Sequence, residues 1–136
     1  MNVPDCYYRV SVKALVLNNK KQFMLFKEKS NIWDLPGGGL EFNEDPAEAL
    51  KREIKEESGL TLTEIAKNPS YFITFKKDGS ETFMANAIYN AQILDLKFTP
   101  SRECTEIGFF DKNSIKNIKV FSSITKFANI YDKSRH

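Results

Sequence analysis

The 136-residue sequence predicts an α+β fold in a single domain spanning residues 1–136, an α/β/α sandwich with a mixed β-sheet between helices. Three observations carry this. An alternating, β-branched run opens the chain, a helix with signals at both ends sits in its middle, and further strand-like runs lead to a second helix at the end.

Taken in order, Tyr8 to Leu17 (YRVSVKALVL) alternates and reads as a strand. Gln22 to Phe26 reads as its hairpin partner across Asn18-Asn19-Lys20-Lys21. Ile32 to Leu35 is a short extended piece, stopped by Pro36-Gly37-Gly38-Gly39, which cannot be regular helix. The central helix is the best-marked element. Asp45 caps it, Pro46 suits its first turn, Glu48 completes a capping box, and Gly59 supplies a left-handed stop. Ala47, Leu50 and Ile54 recur at helical spacing and should face a sheet. Tyr71 to Lys76 and Thr82 to Ala91 read as strands around the turn Lys77-Asp78-Gly79-Ser80. A last strand, Ile107 to Asp111, precedes a helix from Ser122 to Tyr131.

Composition narrows the function classes. A 41% hydrophobic share, with eleven Phe and five Tyr, is enough to build a core without disulfides or metal staples. No apolar run approaches membrane-spanning length, so no membrane partner is expected. The opening Met1 to Asp5 lacks the basic and apolar regions of a secretory signal. Cys6 and Cys104 are far apart and belong to no paired motif, which points to reduced thiols and a cytoplasmic protein. The sole His136 is expected in a frayed tail, so a Ser–His triad is unsupported, and an ordinary zinc site lacks ligands. Gly37-Gly38-Gly39 does not fit a P-loop.

Charge is unevenly spread. Residues 41–57 hold seven acids against three bases, and residues 112–136 hold six bases against Asp132 alone. The basic tail reads as a solvated face. The acidic knot needs an explanation. Glu53, Glu56 and Glu57 stand at i, i+3 and i+4 and cover an arc of about 100° beside the Leu50/Ile54 stripe. Glu56 and Glu57 also lie in the last turn, where the helix dipole disfavours negative charge by roughly 0.3–1 kcal/mol each. A solvated helix with Glu–Lys pairs is one explanation. A hard oxygen-liganded cation, Mg²⁺ or Mn²⁺, is the other.

Wider context favours the cation. Gly38 is followed after five residues by Glu44, and after seven more by Arg52-Glu53-Ile54-Lys55-Glu56-Glu57-Ser58-Gly59-Leu60. This resembles the signature of the Nudix hydrolases, G-x5-E-x7-R-E-U-x-E-E-x-G-U with U aliphatic, at every specified position. From average residue usage, a chance match is on the order of one in a billion per start site. Trp33-Asp34-Leu35-Pro36-Gly37-Gly38 is similar to the W-x-L-P-G-G lead-in common in that family. Glu103 to Phe110 is similar to the acidic segment before its "W-F" strand.

The resemblance implies a Nudix-like fold and Mg²⁺-dependent hydrolysis of a pyrophosphate bond in a nucleoside diphosphate derivative. It implies that Glu53, Glu56 and Glu57 bind Mg²⁺ (or Mn²⁺) with the Gly37 carbonyl, that Arg52 orients a glutamate, and that Glu44 is structural. The general base is Glu53, Glu103 or Glu106. Lys27 and Lys29 could hold substrate phosphates or be plain surface lysines. Trp33, Phe72 and Phe75 could stack on a base or pack in the core. Relatives specific for ADP-ribose often carry a proline about fifteen residues past the signature, where this chain has Phe75. The tyrosine of dinucleoside polyphosphate hydrolases and the coenzyme A motif are also missing. By exclusion, the expected partner is a small nucleotide of the (d)NTP type. Hydrolysis at an RNA 5′ end and a non-catalytic ligand sensor are the alternatives, and oligomeric state is not legible.

Overall fold

A strand that is apolar on one side only can lie at a surface, whereas one apolar on both sides must run between two layers. That distinction organises this chain. The computed structural model describes residues 5–136. Residues 1–4, in the stretch without a secretory pattern, lie outside the described residues. Among the described residues the elements are β1 (Arg9–Leu15), β2 (Phe23–Lys27), β3 (Trp33–Asp34), β4 (Gly37–Gly39), α1 (Pro46–Ser58), β5 (Leu62–Ile65), β6 (Tyr71–Lys76), β7 (Phe83–Ile93), β8 (Glu106–Phe110) and α2 (Ser122–Ile130). A mixed sheet has β1 between antiparallel β4 and parallel β7, with β5 and β6 both antiparallel to β7. A second, antiparallel sheet runs β3-β2-β8. No described helix is long and apolar enough to cross a membrane.

β1 and β2 do not form the hairpin expected from the sequence. They touch at an isolated Leu17–Phe23 bridge, where the Met24 amide donates to the Val16 carbonyl, and then part into different sheets. The reason is burial. Phe23 and Leu25 enter one core, while Met24 and Phe26 enter the other, so β2 is buried on both faces. The edges of β1 are taken instead by β7 and by the glycine run.

α1 covers one face of the mixed sheet, packing Ala49, Leu50 and Ile54 with Val12, Ala14 and Val16. α2 covers the other, packing Ile124, Phe127 and Ala128 with Leu15, Ile73 and Ile88. The α1 ends behave as their sequence dictates. Asp45 accepts from the Glu48 amide at 3.2 Å, and Gly59 stops the helix at φ 73° with its N–H on the Lys55 carbonyl. The Glu48 carboxylate goes to Lys51 at 3.9 Å, so the reciprocal half of the expected capping box is replaced by an ion pair.

Three further features differ from the sequence expectation, the first of them at the site. Pro36–Gly39 supplies β4, lying so close on β1 that a Cβ at Gly37 would meet the Val12 carbonyl oxygen at 2.1 Å. His136 does not fray: its ring nitrogens lie 2.9 Å from the Tyr71 hydroxyl and 2.8 Å from the Asn90 amide, and it stacks on Tyr131. β5 was not expected, because four residues with two exposed acquire strand geometry only through their pairing with β7.

Candidate active site

The C-terminal half of α1 sits beside β4, and that contact gathers the acids. At Gly38 a Cβ would fall 3.0 Å from the Glu53 carboxylate, so this side chain lies against bare backbone. Glu53 is 20% exposed. Glu57, one turn on, contacts the Glu53 carboxylate and is half-buried. Burial first, and then Glu53, push the Glu57 carboxyl up to about 8, with Lys13 pulling the other way. Two carboxylates in contact in a poorly solvated spot create a demand for positive charge.

Arg52 organises the neighbourhood. Its Nη2 donates to Glu44 at 2.9 Å and to Glu53 at 3.3 Å, and its Nη1 donates to Glu56 at 3.4 Å. Glu44 also accepts from the Glu41 amide, and this bond, followed by Arg52, holds its carboxyl below the usual range. Glu44 therefore anchors the loop to the helix. Glu56 departs from the expected cluster: it is 62% exposed and turned to Arg52. Among the described residues no three acidic, thiol or imidazole groups converge on one point. The donor chemistry nonetheless fits a hard divalent cation. The close Glu53/Glu57 pair is all oxygen, shares a proton that a cation could displace, and abuts the backbone of β4.

Two clefts meet at this point. The first, of about 390 Å³, runs along the mixed sheet towards α2. The second, of about 440 Å³, contains Glu57, Glu103, Arg102 and Lys29. Lys13, Glu28, Asp34 and Gly37 line both. Lys13 is 8% exposed, and its Nζ donates to Asp34 and to the Leu35 carbonyl, each at 3.3 Å. Burial, and then Asp34, raise the Glu28 carboxyl.

Of the residues read from the sequence, Glu57, Gly37, Glu103 and Lys29 line these clefts, and Glu53 lies beside them against Gly38. Three do not. Glu106 lines neither cleft and is paired with Lys27 at 3.3 Å, and Lys27 also lines neither. Trp33 is 7% exposed and packed edge-on against Phe110, with the Lys27 ammonium 6.0 Å from its ring centre. Phe75 lines the first cleft, whereas Phe72 is 60% exposed elsewhere.

Lys13, Glu28 and Asp34 were missed. In β1 the polar positions Arg9, Ser11 and Lys13 alternate with valines, a pattern that resembles one face in water. β1 is in fact internal, and its polar side forms the cleft floor. A lysine inside such a run was the available signal.

The family model of the NUDIX domain matches residues 7–126. An RNA pyrophosphohydrolase of Ruthia magnifica subsp. Calyptogena magnifica is 41% identical over 68 residues, 47% of this chain and 38% of that protein. A Bacillus subtilis (strain 168) protein, named provisionally an 8-oxo-dGTP diphosphatase, is 41% identical over 61 residues, 44% of this chain and 41% of its own length. The chain thus spans less than half the length of these relatives. In three dimensions it is similar to the MutT protein of Methanosarcina mazei Go1, with a TM-score of 0.74, 22% identity, and coverage of 98% of this chain and 99% of that one.

Proposed function

The chain belongs to the NUDIX domain family, and from that premise we propose that it hydrolyses a pyrophosphate bond in a nucleoside 5′-phosphate derivative, with Mg²⁺ as cofactor and a (d)NTP-type nucleotide as substrate. The observation that carries this reading is half-buried Glu57, in contact with Glu53 and lining the second cleft beside Lys13 and Gly37, which line both. A phosphoanhydride is polyanionic, so a site for it must offset charge while keeping a base at hand. Glu53, Glu57 and the Gly37 carbonyl would hold Mg²⁺ (or Mn²⁺), which would neutralise phosphate charge and make water more acidic.

The chain's own residues do the rest. Arg52, braced by Glu44, holds the Glu53 carboxylate in place. Lys13 offers a buried cation to a phosphate oxygen at the junction of the clefts, and Lys29 and Arg102 flank the second one. We take Glu103, which lines that cleft with Glu57, or Glu53 as the group that would accept the water proton. The setting we propose is cytoplasmic, in keeping with free Cys6 and Cys104 among the described residues.

A second reading, hydrolysis at an RNA 5′ end, is favoured by the name of the Ruthia magnifica relative. The exposed Lys119, two residues before Phe121 of the first cleft, gives it a surface for a polynucleotide tail. A non-catalytic sensor is the weaker reading, since every glutamate of the signature is present. The test is incubation with Mg²⁺ and NTPs, dNTPs, nucleoside diphosphate derivatives and 5′-triphosphate RNA, with products resolved by chromatography. Release of pyrophosphate and a nucleoside monophosphate from free nucleotides is expected, with excess chelator abolishing it. Turnover of RNA alone, lost in Lys119→Ala, establishes the second reading. No turnover of any substrate overturns the hydrolase reading.

A further inference from the structure

Burying a polar side chain costs stability unless it is paired, so each one that is buried needs an explanation. Among the described residues, Ser11, Lys13, Ser58, Asn86 and Ser123 are buried. Ser58 is explained by its helix, since its hydroxyl donates to the Ile54 carbonyl at 2.6 Å. The other four all line the first cleft. Lys13 is satisfied by Asp34 and Leu35. Asn86 is not: it is 3% exposed, and its Oδ1 has no hydrogen-bond partner.

Its place in the fold makes this costly. Asn86 sits in the middle of β7, opposite Ser11 of β1 and Ile73 of β6. By strand alternation it shares a face with Met84 on one side and Ile88 on the other. Ile88 is wholly buried in the α2-side core. A leucine at position 86 would continue that core and would suit the strand better. An amide there serves something that enters the cleft.

The surroundings say what enters. Phe75, Phe121 and Met84 give the cleft apolar walls, and Ser11 and Ser123 add hydroxyls. Flat apolar walls around an amide match a heteroaromatic ring, which stacks on its faces and hydrogen-bonds along its edge. Lys13 lies at the far end, where the cleft joins the Glu53/Glu57 region, so a ring held at Asn86 would lead its phosphates towards those acids.

We infer that the first cleft is a nucleobase subsite and that Asn86 decides which base it accepts. Turned about its side-chain torsion into the cleft, the Asn86 amide would offer the edge of the base both its unpaired acceptor and its donor nitrogen. The inference rests on the nucleotide reading above, but the residue is separate from the acids: Asn86 lines the first cleft and not the second. It is a specificity residue and takes no part in the bond cleavage.

The experiment compares wild type with Asn86→Leu and Asn86→Ala, using ATP, GTP, CTP and UTP with Mg²⁺. Wild type should favour one base over the least favoured by about tenfold or more in kcat/KM, the scale of a good amide–base pair. Both variants should lose that preference through a raised KM for the favoured base. Asn86→Leu should also melt no lower than wild type, because an unpaired buried amide has been removed. A preference that survives in both variants, or no preference in wild type, overturns the inference. A parallel calorimetric titration with the four nucleoside 5′-monophosphates needs no hydrolysis. Base-selective binding that is lost in the variants, in a protein that turns over no nucleotide, keeps the subsite and rejects the hydrolase reading. Binding without base selectivity overturns the subsite.

Discussion

Replacing Glu57 by Gln separates what its charge does for folding from what it does for chemistry. The Glu57 carboxyl is pushed from an ordinary 4.5 to about 8, by burial first and by Glu53 second. Between those values the folded chain keeps a proton that the unfolded chain has released. The sign follows: stability is greatest below about pH 4.5 and falls as pH rises towards 8. In a dry site such a rise would correspond to about 5 kcal/mol, and solvent reaching this half-buried group through the cleft reduces it to about 2 kcal/mol. Glutamine keeps the shape and helix propensity but carries no charge at any pH. In excess chelator, Glu57→Gln should therefore be about 2 kcal/mol more stable than wild type at pH 9, and close to it at pH 4.5. Added Mg²⁺ should raise wild-type stability more than that of the variant. Turnover at saturating Mg²⁺ should fall by at least about two orders of magnitude, since charge stabilisation by a bound metal is worth several kcal/mol. Urea unfolding at the two pH values, alongside nucleotide hydrolysis, measures both effects. Glu48→Gln is the control, because Glu48 is 74% exposed and paired only with Lys51. A variant with near-wild-type turnover, or one less stable than wild type at pH 9, would refute the assignment of Glu57 as a buried cation ligand.

Three other substitutions or reactions test separate contacts. Arg52→Lys keeps the charge but cannot span Glu44, Glu53 and Glu56; kcat should fall about 10–100-fold with little change in the urea midpoint, as for other residues that orient metal ligands. Gly37→Ala places a methyl 2.1 Å from the Val12 carbonyl at φ 135°, and should cost about 2 kcal/mol or more of stability in the same unfolding assay. Native alkylation at pH 8 should label the exposed Cys6 and spare Cys104 until denaturant is added, as mass spectrometry will report. Burial pushes the Cys104 thiol up to about 12, which leaves roughly one thiolate in ten thousand at that pH.

Local rules were enough for the parts of this protein that depend on neighbours in the chain. The α1 helix needed only Asp45, Pro46 and Gly59, because capping acts within one turn. The acidic face of Glu53 and Glu57 was legible for the same reason, since helical period alone places residues four apart together. Family membership also came from spacing along the chain, and the match over residues 7–126 agrees with it. Strands β6 and β7 followed from their alternation around a turn.

What the sequence could not decide was which strand lies beside which, and so which polar residues face inwards. β1 and β2 looked like a hairpin because hairpin signals are local, yet each strand's partners were settled by burial on both faces. Lys13 and Asn86 lie in stretches that alternate as half-exposed strands do. They became a cleft floor only when β1 and β7 paired as internal neighbours under α2. Glu106 and Lys27 matched the expected site by type but meet across β2 and β8 instead. Helix period is a property of the backbone and can be read from a single segment. The inside or outside of a strand depends on the elements stacked against it, and those are chosen by the free energy of packing the whole chain.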